Sequence, residues 1–227
     1  MKSGFYSMFQ QFTGTIYMAL GTNVLLIIAT APLVAVYLLG DLGRSWPLLA
    51  LFSPLVGPAV AAAFTVFQSY SEQGVATVVR TFVRGWRTTF RRAIIVGVAT
   101  STLLFILAVD VVAVWGKSVG AFAIPMFAMA AVLVIAVSLH VLVGVAADPG
   151  VTLRTAWKAC LFLAVRRWYL TAVSLVVVGV LTAIVAVQPA LGLGFIAAPV
   201  LYLAWANSSY TLRPALAVPE RELAPTW

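Results

Sequence analysis

The feature that most constrains this chain is a series of apolar runs, each long enough to cross a lipid bilayer. A bilayer-crossing α-helix needs roughly 20 mostly apolar residues. Six stretches predict membrane spans, at residues 16–39, 47–69, 93–115, 121–146, 169–187 and 191–210. The breaks between spans carry Gly, Pro or charged residues, as turns do. The sequence therefore predicts an all-α, polytopic protein with a single integral membrane domain over residues 1–227, ending in a short tail at 211–227.

The scarcity of charge excludes a soluble domain. Charged residues make up 9% of the chain, against about 25% in typical soluble domains. Twelve of the 14 Lys and Arg residues fall on one side of the six predicted spans, and only Arg44 and Lys117 fall on the other. Positive residues are retained in cytoplasmic loops. We therefore expect a multi-pass plasma membrane protein whose N- and C-termini are cytoplasmic.

Two basic stretches interrupt the apolar runs. The first, "RTFVRGWRTTFRR" (Arg80–Arg92), repeats its bases at the helical spacing i, i+4, i+7, i+11: Arg80, Arg84, Arg87 and Arg91. The pattern predicts an amphipathic helix lying in the membrane interface, with Trp86 in the acyl boundary and the arginines toward anionic headgroups. Nucleic acid binding is disfavoured, because the aromatic side chains would face the bilayer instead of stacking on bases.

The second basic stretch, "RTAWKACLFLAVRRWY" (Arg154–Tyr169), resembles the first. Both begin Arg-Thr, place a base four residues later and close with Arg-Arg before an apolar span. The bases of this second cytoplasmic amphipathic helix are Arg154, Lys158, Arg166 and Arg167. One interpretation is a parallel repeat of a span–basic helix–span unit. The alternative is that basic, helix-favouring segments beside a membrane resemble each other by composition.

Polar residues within predicted spans are candidates for function, because such groups are costly in lipid. They are Asn23, Asp110, His140 and Asn207. Their positions place Asp110 and His140 about 18 Å apart in depth, which argues against a proton-relay pair. Asn23, Gln68, His140 and Asn207 are predicted to share a layer in the cytoplasmic half. That layer could be interhelical hydrogen bonding or the lining of a vestibule.

Smaller features predict how the spans pack. Gly57, Ala61 and Thr65 form a small-xxx-small stripe, which allows two helices to approach closely. The single cysteine, Cys160, is interpreted as a small apolar filler. Prolines within the spans predict kinks or broken turns, at Pro32, Pro54, Pro58, Pro125 and Pro199.

No enzyme motif is present: the sequence lacks a Walker A loop, metal-binding Cys/His spacing and a nucleophile elbow. We expect no catalytic residues, no metal and no cofactor.

Three segments in order carry a resemblance to a known family. They are "FYSMFQQFTGTIYMALGTNVLLIIATAP" (Phe5–Pro32), "GPAVAAAFTVFQSY" (Gly57–Tyr70) and "TFVRGWRTTFRRA" (Thr81–Ala93). This order resembles the YesL-like family of bacterial integral membrane proteins, over about the first 110 residues. The chain departs from the family in its extended apolar segment between Pro32 and Gly57. Members of that family are often encoded beside sugar ABC transporters, and their molecular function is unknown.

Three functions follow as hypotheses. The resemblance implies a non-enzymatic accessory protein of a bacterial carbohydrate uptake system, in contact with the permease subunits of an ABC transporter. The polar residues and prolines within the spans favour an independent small transporter or channel, with a homo-oligomer left open. The two basic helices alone favour a lipid-interacting, membrane-organising protein whose binding to anionic lipid depends on Arg84, Arg87 and Arg91.

Overall fold

The computed structural model describes the backbone of residues 2–74, 77–148, 153, 154, 156–158, 160 and 168–216. Side chains are described over the same ranges except 2–12, 42, 43, 168 and 211–216. The described chain is helical, without a strand. Its longer helices are α1 (Lys2–Ala29), α2 (Ala31–Leu39), α3 (Leu42–Phe52), α4 (Val56–Gln73), α5 (Val78–Val114), α6 (Gly120–Ala147), α7 (Trp168–Val187) and α8 (Ala197–Leu216). Short helical segments lie at Ser53–Leu55, Pro189–Leu191 and Gly192–Ile196.

Helices long and apolar enough to cross a membrane account for most of the described chain. Five runs meet this requirement: Arg44–Gln73, Val78–Val114, Gly120–Ala147, Tyr169–Val187 and Pro189–Tyr210. A sixth crossing is formed if α1 and α2 count as one broken span. The predicted all-α, polytopic architecture is therefore confirmed. Arg166 and Arg167 lie outside the described residues, so the proposed internal repeat stays a prediction.

The first predicted span, 16–39, is not one straight helix. The axes of Thr13–Ala29 and Ala31–Leu39 differ by 77°. Pro32 lies in the first turn of α2, where its missing N–H removes a hydrogen bond that would continue α1. The Thr30 hydroxyl donates to the carbonyl of Leu26 at 2.8 Å and occupies an acceptor at the end of α1. The predicted kink or broken turn at Pro32 is therefore confirmed, as a break between α1 and α2.

The prediction of a separate interfacial helix at Arg80–Arg92 is wrong. Residues Val78 to Val114 form a single 37-residue helix, α5. Its length is about 55 Å, well beyond the roughly 30 Å hydrocarbon thickness of a bilayer. The basic stretch is thus the first part of the long helix. Its apolar side packs on protein, because Val78, Phe82, Gly85 and Thr89 are buried at helical spacing.

Helices α4 and α5 form a closely packed antiparallel hairpin. A Cβ added to Gly57 would lie 2.5 Å from the carbonyl oxygen of Ala93. A Cβ at Gly97 would overlap the carbonyl oxygen of Pro54, and one at Gly85 would overlap the Thr65 side chain. Glycine therefore allows the two backbones to approach where any side chain would separate them. The predicted stripe of Gly57, Ala61 and Thr65 does lie along this contact.

The buried core is gathered at one end of the bundle. It contains residues 59–67 of α4, the first five turns of α5, residues 136–146 of α6 and the middle of α8. The opposite ends of α5 and α6 are largely exposed, with Val112 at 75% and Phe122 at 82% relative exposure. Such apolar exposure suits contact with lipid or with another membrane helix.

The hairpin contact generates a stability prediction. Gly97→Ala should lower the free energy of unfolding by about 1–3 kcal/mol, because the new methyl group meets a backbone carbonyl that cannot rotate away. Gly179→Ala is the matched control, since a Cβ there meets no atom within 4 Å. Thermal unfolding of the two variants in the same detergent measures the difference. Equal melting temperatures would show that α5 is not in close contact at Gly97 with Pro54, just before α4.

Candidate functional site

A groove lies at the tip of the α4–α5 hairpin, and we call it the arginine groove. Its volume is about 930 Å³. The end of α4 forms one wall and the start of α5 forms the other, since α4 ends at Gln73 and α5 begins five residues later, at Val78. The lining side chains are Thr65, Gln68, Ser69, Glu72, Gln73, Thr77, Arg80, Thr81, Val83, Arg84, Arg87 and Thr88.

Positive charge dominates this groove. Arg80, Arg84 and Arg87 are all exposed, and within the described chain none of them forms an ion pair. Glu72 is the single carboxylate in the lining, and its Oε1 accepts a hydrogen bond of 3.0 Å from Nε2 of Gln68. Three guanidinium groups therefore face one carboxylate that already has a partner. The groove is suited to an anion.

The other predicted contact residues of the first basic stretch lie outside the groove. Arg91 is exposed on α5 but is not part of the lining. Trp86, predicted to lie in the acyl boundary, is half-buried and packs against the core. Its ring stacks on Phe82 with 6.4 Å between centroids. Phe82 and Trp86 thus make protein contacts on one side of the stretch. The position of Trp86 in the acyl boundary stays a prediction.

The second basic stretch is described at a few positions. Arg154 and Lys158 are exposed, whereas Ala156 and Cys160 are buried. Leu153 and Trp157 pack against the core. Burial raises the pKa of the Cys160 thiol to about 12, so the group is protonated at neutral pH. A buried, protonated thiol agrees with the interpretation of Cys160 as an apolar filler.

Asn23 bridges α1 to the irregular start of the last span. Residues Gly192–Ile196 form a π-helical turn before α8. The Asn23 amide nitrogen donates to the carbonyl of Gly194 at 3.0 Å, and its Oδ1 accepts from the backbone N–H of Ala198 at 2.6 Å. A π turn alters the regular i→i−4 pairing of the backbone. The fully buried Asn23 side chain thereby pairs with one backbone acceptor and one backbone donor at the start of the last span.

Asn207 links the middle of α8 to α7. Its amide nitrogen donates to the carbonyl of Leu170 at 2.5 Å and to the Ser174 hydroxyl at 2.8 Å, both on α7. Asn207 is nine residues from Ala198, which is about 13–14 Å along α8. The predicted common layer of Asn23 and Asn207 is therefore not formed. Each asparagine instead makes its own interhelical hydrogen bonds.

His140 and Asp110 are far apart, as the sequence predicted. The hydroxyls of Thr100 and Ser138 are 2.6 Å apart and fix the register of α5 against α6. Asp110 lies ten residues beyond Thr100 in one direction, and His140 lies two residues from Ser138 in the other. Their separation along the pair is about 18 Å.

The environments of these two ionisable residues differ. His140 is 1% exposed, and its Nδ1 is 2.8 Å from the carbonyl oxygen of Ala136. Its Nε2 has no hydrogen-bond partner in the described structure, and the same is true of the buried hydroxyls of Thr22 and Ser208. Asp110 is half-buried on α5. The structure therefore does not gather the four predicted intramembrane polar residues into one site.

The α4 wall of the groove was the part that sequence reasoning missed. The polar run "QSYSEQ" (Gln68–Gln73) is separated from the first basic stretch by only six residues. Two helices joined by so short a connection must run antiparallel and adjacent. This spacing was the available signal that Ser69 and Glu72 would face Arg80 and Arg84.

The helical architecture and its apolar surfaces define the chain as a polytopic membrane-type protein. Residues 16–111 match the family model described as "Protein of unknown function, DUF624", a family that includes the YesL-like proteins. The match covers less than half of the 227 residues, from α1 to near the end of α5. Comparison with curated proteins and with solved structures finds no match.

The Asn23 contacts generate a second stability prediction. Asn23→Ala should lower the free energy of unfolding by about 2 kcal/mol or more, because it leaves two buried backbone groups unpaired. Thr182→Ala is the control, since the exposed Thr182 hydroxyl only donates within its own helix, to Val178. Chemical unfolding in detergent micelles compares the two. A loss at Asn23 no larger than that at Thr182 would contradict the bridging role.

Proposed function

We propose that this chain is a non-enzymatic accessory membrane protein of a bacterial carbohydrate uptake system, in which it packs against the permease helices of an ABC transporter. The resemblance to the YesL-like family supplies the class of partner. In this proposal the arginine groove and both termini face the cytoplasm of a bacterial cell, as the distribution of positive charge favours.

One surface feature carries the proposal. Phe122, Met126, Met129 and Leu133 are exposed on α6, with spacings of four, three and four residues. They therefore form a single stripe along one side of the helix. The a and d residues of a coiled coil, through which two helices interlock, have the same spacing. Methionine adapts readily to a partner surface.

Co-purification from native membranes tests the proposal. Tagged wild-type protein should retain ABC permease subunits, and Met126→Ala with Met129→Ala should reduce their recovery roughly tenfold, because truncated interface anchors typically cost over 1 kcal/mol each. The matched control is Val176→Ala with Val180→Ala, which truncates two exposed apolar side chains on α7. Recovery of no permease subunit, or equal loss in the control, would contradict the proposal.

A second candidate function is favoured by a different observation. The unpartnered buried atoms of Thr22, His140 and Ser208 are the kind of polar groups that line a transport pathway. As an independent small transporter, the protein alone should move solute across proteoliposomes, and His140→Phe should abolish that flux. Flux that His140→Phe leaves unchanged would remove His140 from any pathway. Absence of flux would leave the accessory function as the better supported of the two.

A further inference from the structure

We propose that the arginine groove is a binding site for a phosphoryl group, held by Arg80, Arg84 and Arg87 as a phosphate monoester or diester. This inference does not depend on the accessory function, because it uses a different surface of the molecule. Arg91 lies on the same helix but outside the lining, and the proposed site does not include it.

The arginines have the arrangement that phosphate recognition requires. Their spacing of four and three residues places all three guanidinium groups on one side of α5. A guanidinium group presents a planar fork of N–H donors that matches two phosphate oxygens at once. No carboxylate in the described chain pairs with these three side chains. Their donors are therefore free to bind a ligand.

The start of α5 adds to this positive field. The groove reaches Thr77, the residue before the first turn of the helix, and the Thr77 side chain does not cap that turn. The first intrahelical bond runs from the N–H of Thr81 to the carbonyl of Thr77. The preceding N–H groups have no partner within the helix and carry its positive end. Anions bind readily at such positions.

The opposite wall supplies neutral hydrogen-bonding groups. Gln68, Ser69 and Gln73 line it, together with Glu72. With three arginines against one glutamate, the lining of the described groove carries a net charge of +2. It contains no aromatic side chain, so it lacks the stacking surface on which a nucleobase would be held. These features favour a ligand recognised through its phosphate.

The size of the groove admits two sources of that phosphate. A volume of about 930 Å³ lies within the range of small-molecule sites, roughly 300–1,000 Å³. A phospholipid headgroup could enter from the membrane surface, and a soluble phosphate ester could enter from the aqueous side. The recognised chemistry is the same in both cases, and the experiment distinguishes them.

The test uses the full chain with two probes. Glycerol 1-phosphate is titrated into the protein in a non-ionic detergent and followed by calorimetry. Retention of phosphatidylglycerol is measured by native mass spectrometry after release from nanodiscs of that lipid, with phosphatidylcholine nanodiscs as reference. Arg84→Gln and Arg87→Gln should each weaken binding roughly tenfold or more, since each removes charge-assisted hydrogen bonds.

Matched variants separate a site from general surface charge. Arg91→Gln removes the same charge from the same helix outside the groove, and it should weaken binding much less than Arg84→Gln, because Arg91 does not line the groove and is not placed to form charge-assisted hydrogen bonds to the phosphate. Glu72→Gln removes the groove carboxylate and should tighten binding, a gain that misfolding cannot mimic. Circular dichroism and size-exclusion chromatography confirm the fold of each variant.

Each outcome decides the question. Binding of glycerol 1-phosphate identifies a soluble phosphate ester as a ligand, and selective retention of phosphatidylglycerol alone identifies a lipid headgroup. Failure of both probes would overturn the proposal. So would an effect of Arg91→Gln as large as that of Arg84→Gln, because the binding would then reflect the charge of the whole surface.

Discussion

The close approach of α4 and α5 is the contact on which the rest of the structure depends. At Gly57 and Gly97 the two backbones meet without an intervening side chain, and at Gly85 only the small Thr65 side chain lies between them. Apolar area alone drives helix association weakly in lipid, so close van der Waals contact between backbones matters more there than in water. This contact holds the first turns of α5 against α4 and leaves the arginine side of the helix outward. The groove exists because one face of the hairpin is fully packed and the adjacent face is polar.

Two polar side chains of the bundle, Asn23 and Thr30, form hydrogen bonds where the backbone is irregular. A backbone group left unpaired in a low-dielectric interior costs several kcal/mol. The π turn before α8 and the break after α1 both disturb regular pairing, and Asn23 and Thr30 each supply side-chain hydrogen bonds at those points. Asn207 similarly links α8 to α7. Among the buried side chains that the structure describes, atoms of Thr22, His140 and Ser208 have no hydrogen-bond partner. These residues, and not the asparagines, therefore support the transport alternative.

Sequence reasoning predicted the helical class and all six apolar segments, because hydropathy depends on composition within a window and not on contacts. It also predicted the Gly57–Thr65 stripe and the separation of Asp110 from His140. It did not predict the continuity of α5. The spacing of Phe82 and Trp86 marks an apolar helix side, but the pattern alone does not say whether lipid or protein covers that side. The hydrogen bonds of Asn23 to Gly194 and Ala198 could not be predicted from the sequence, because these residues are more than 170 positions apart along the chain.

The continuity of α5 is tested most directly by a distance between two spin labels. Arg84→Cys and Ile106→Cys, with Cys160 replaced by alanine, place labels at exposed positions 22 residues apart. One straight helix puts the labelled sites about 33 Å apart. A basic segment turned at a right angle near Ala93 and lying in the interface would put them about 24 Å apart. Double electron–electron resonance should give the longer distance. The shorter one would contradict both the continuous helix and the groove built on it.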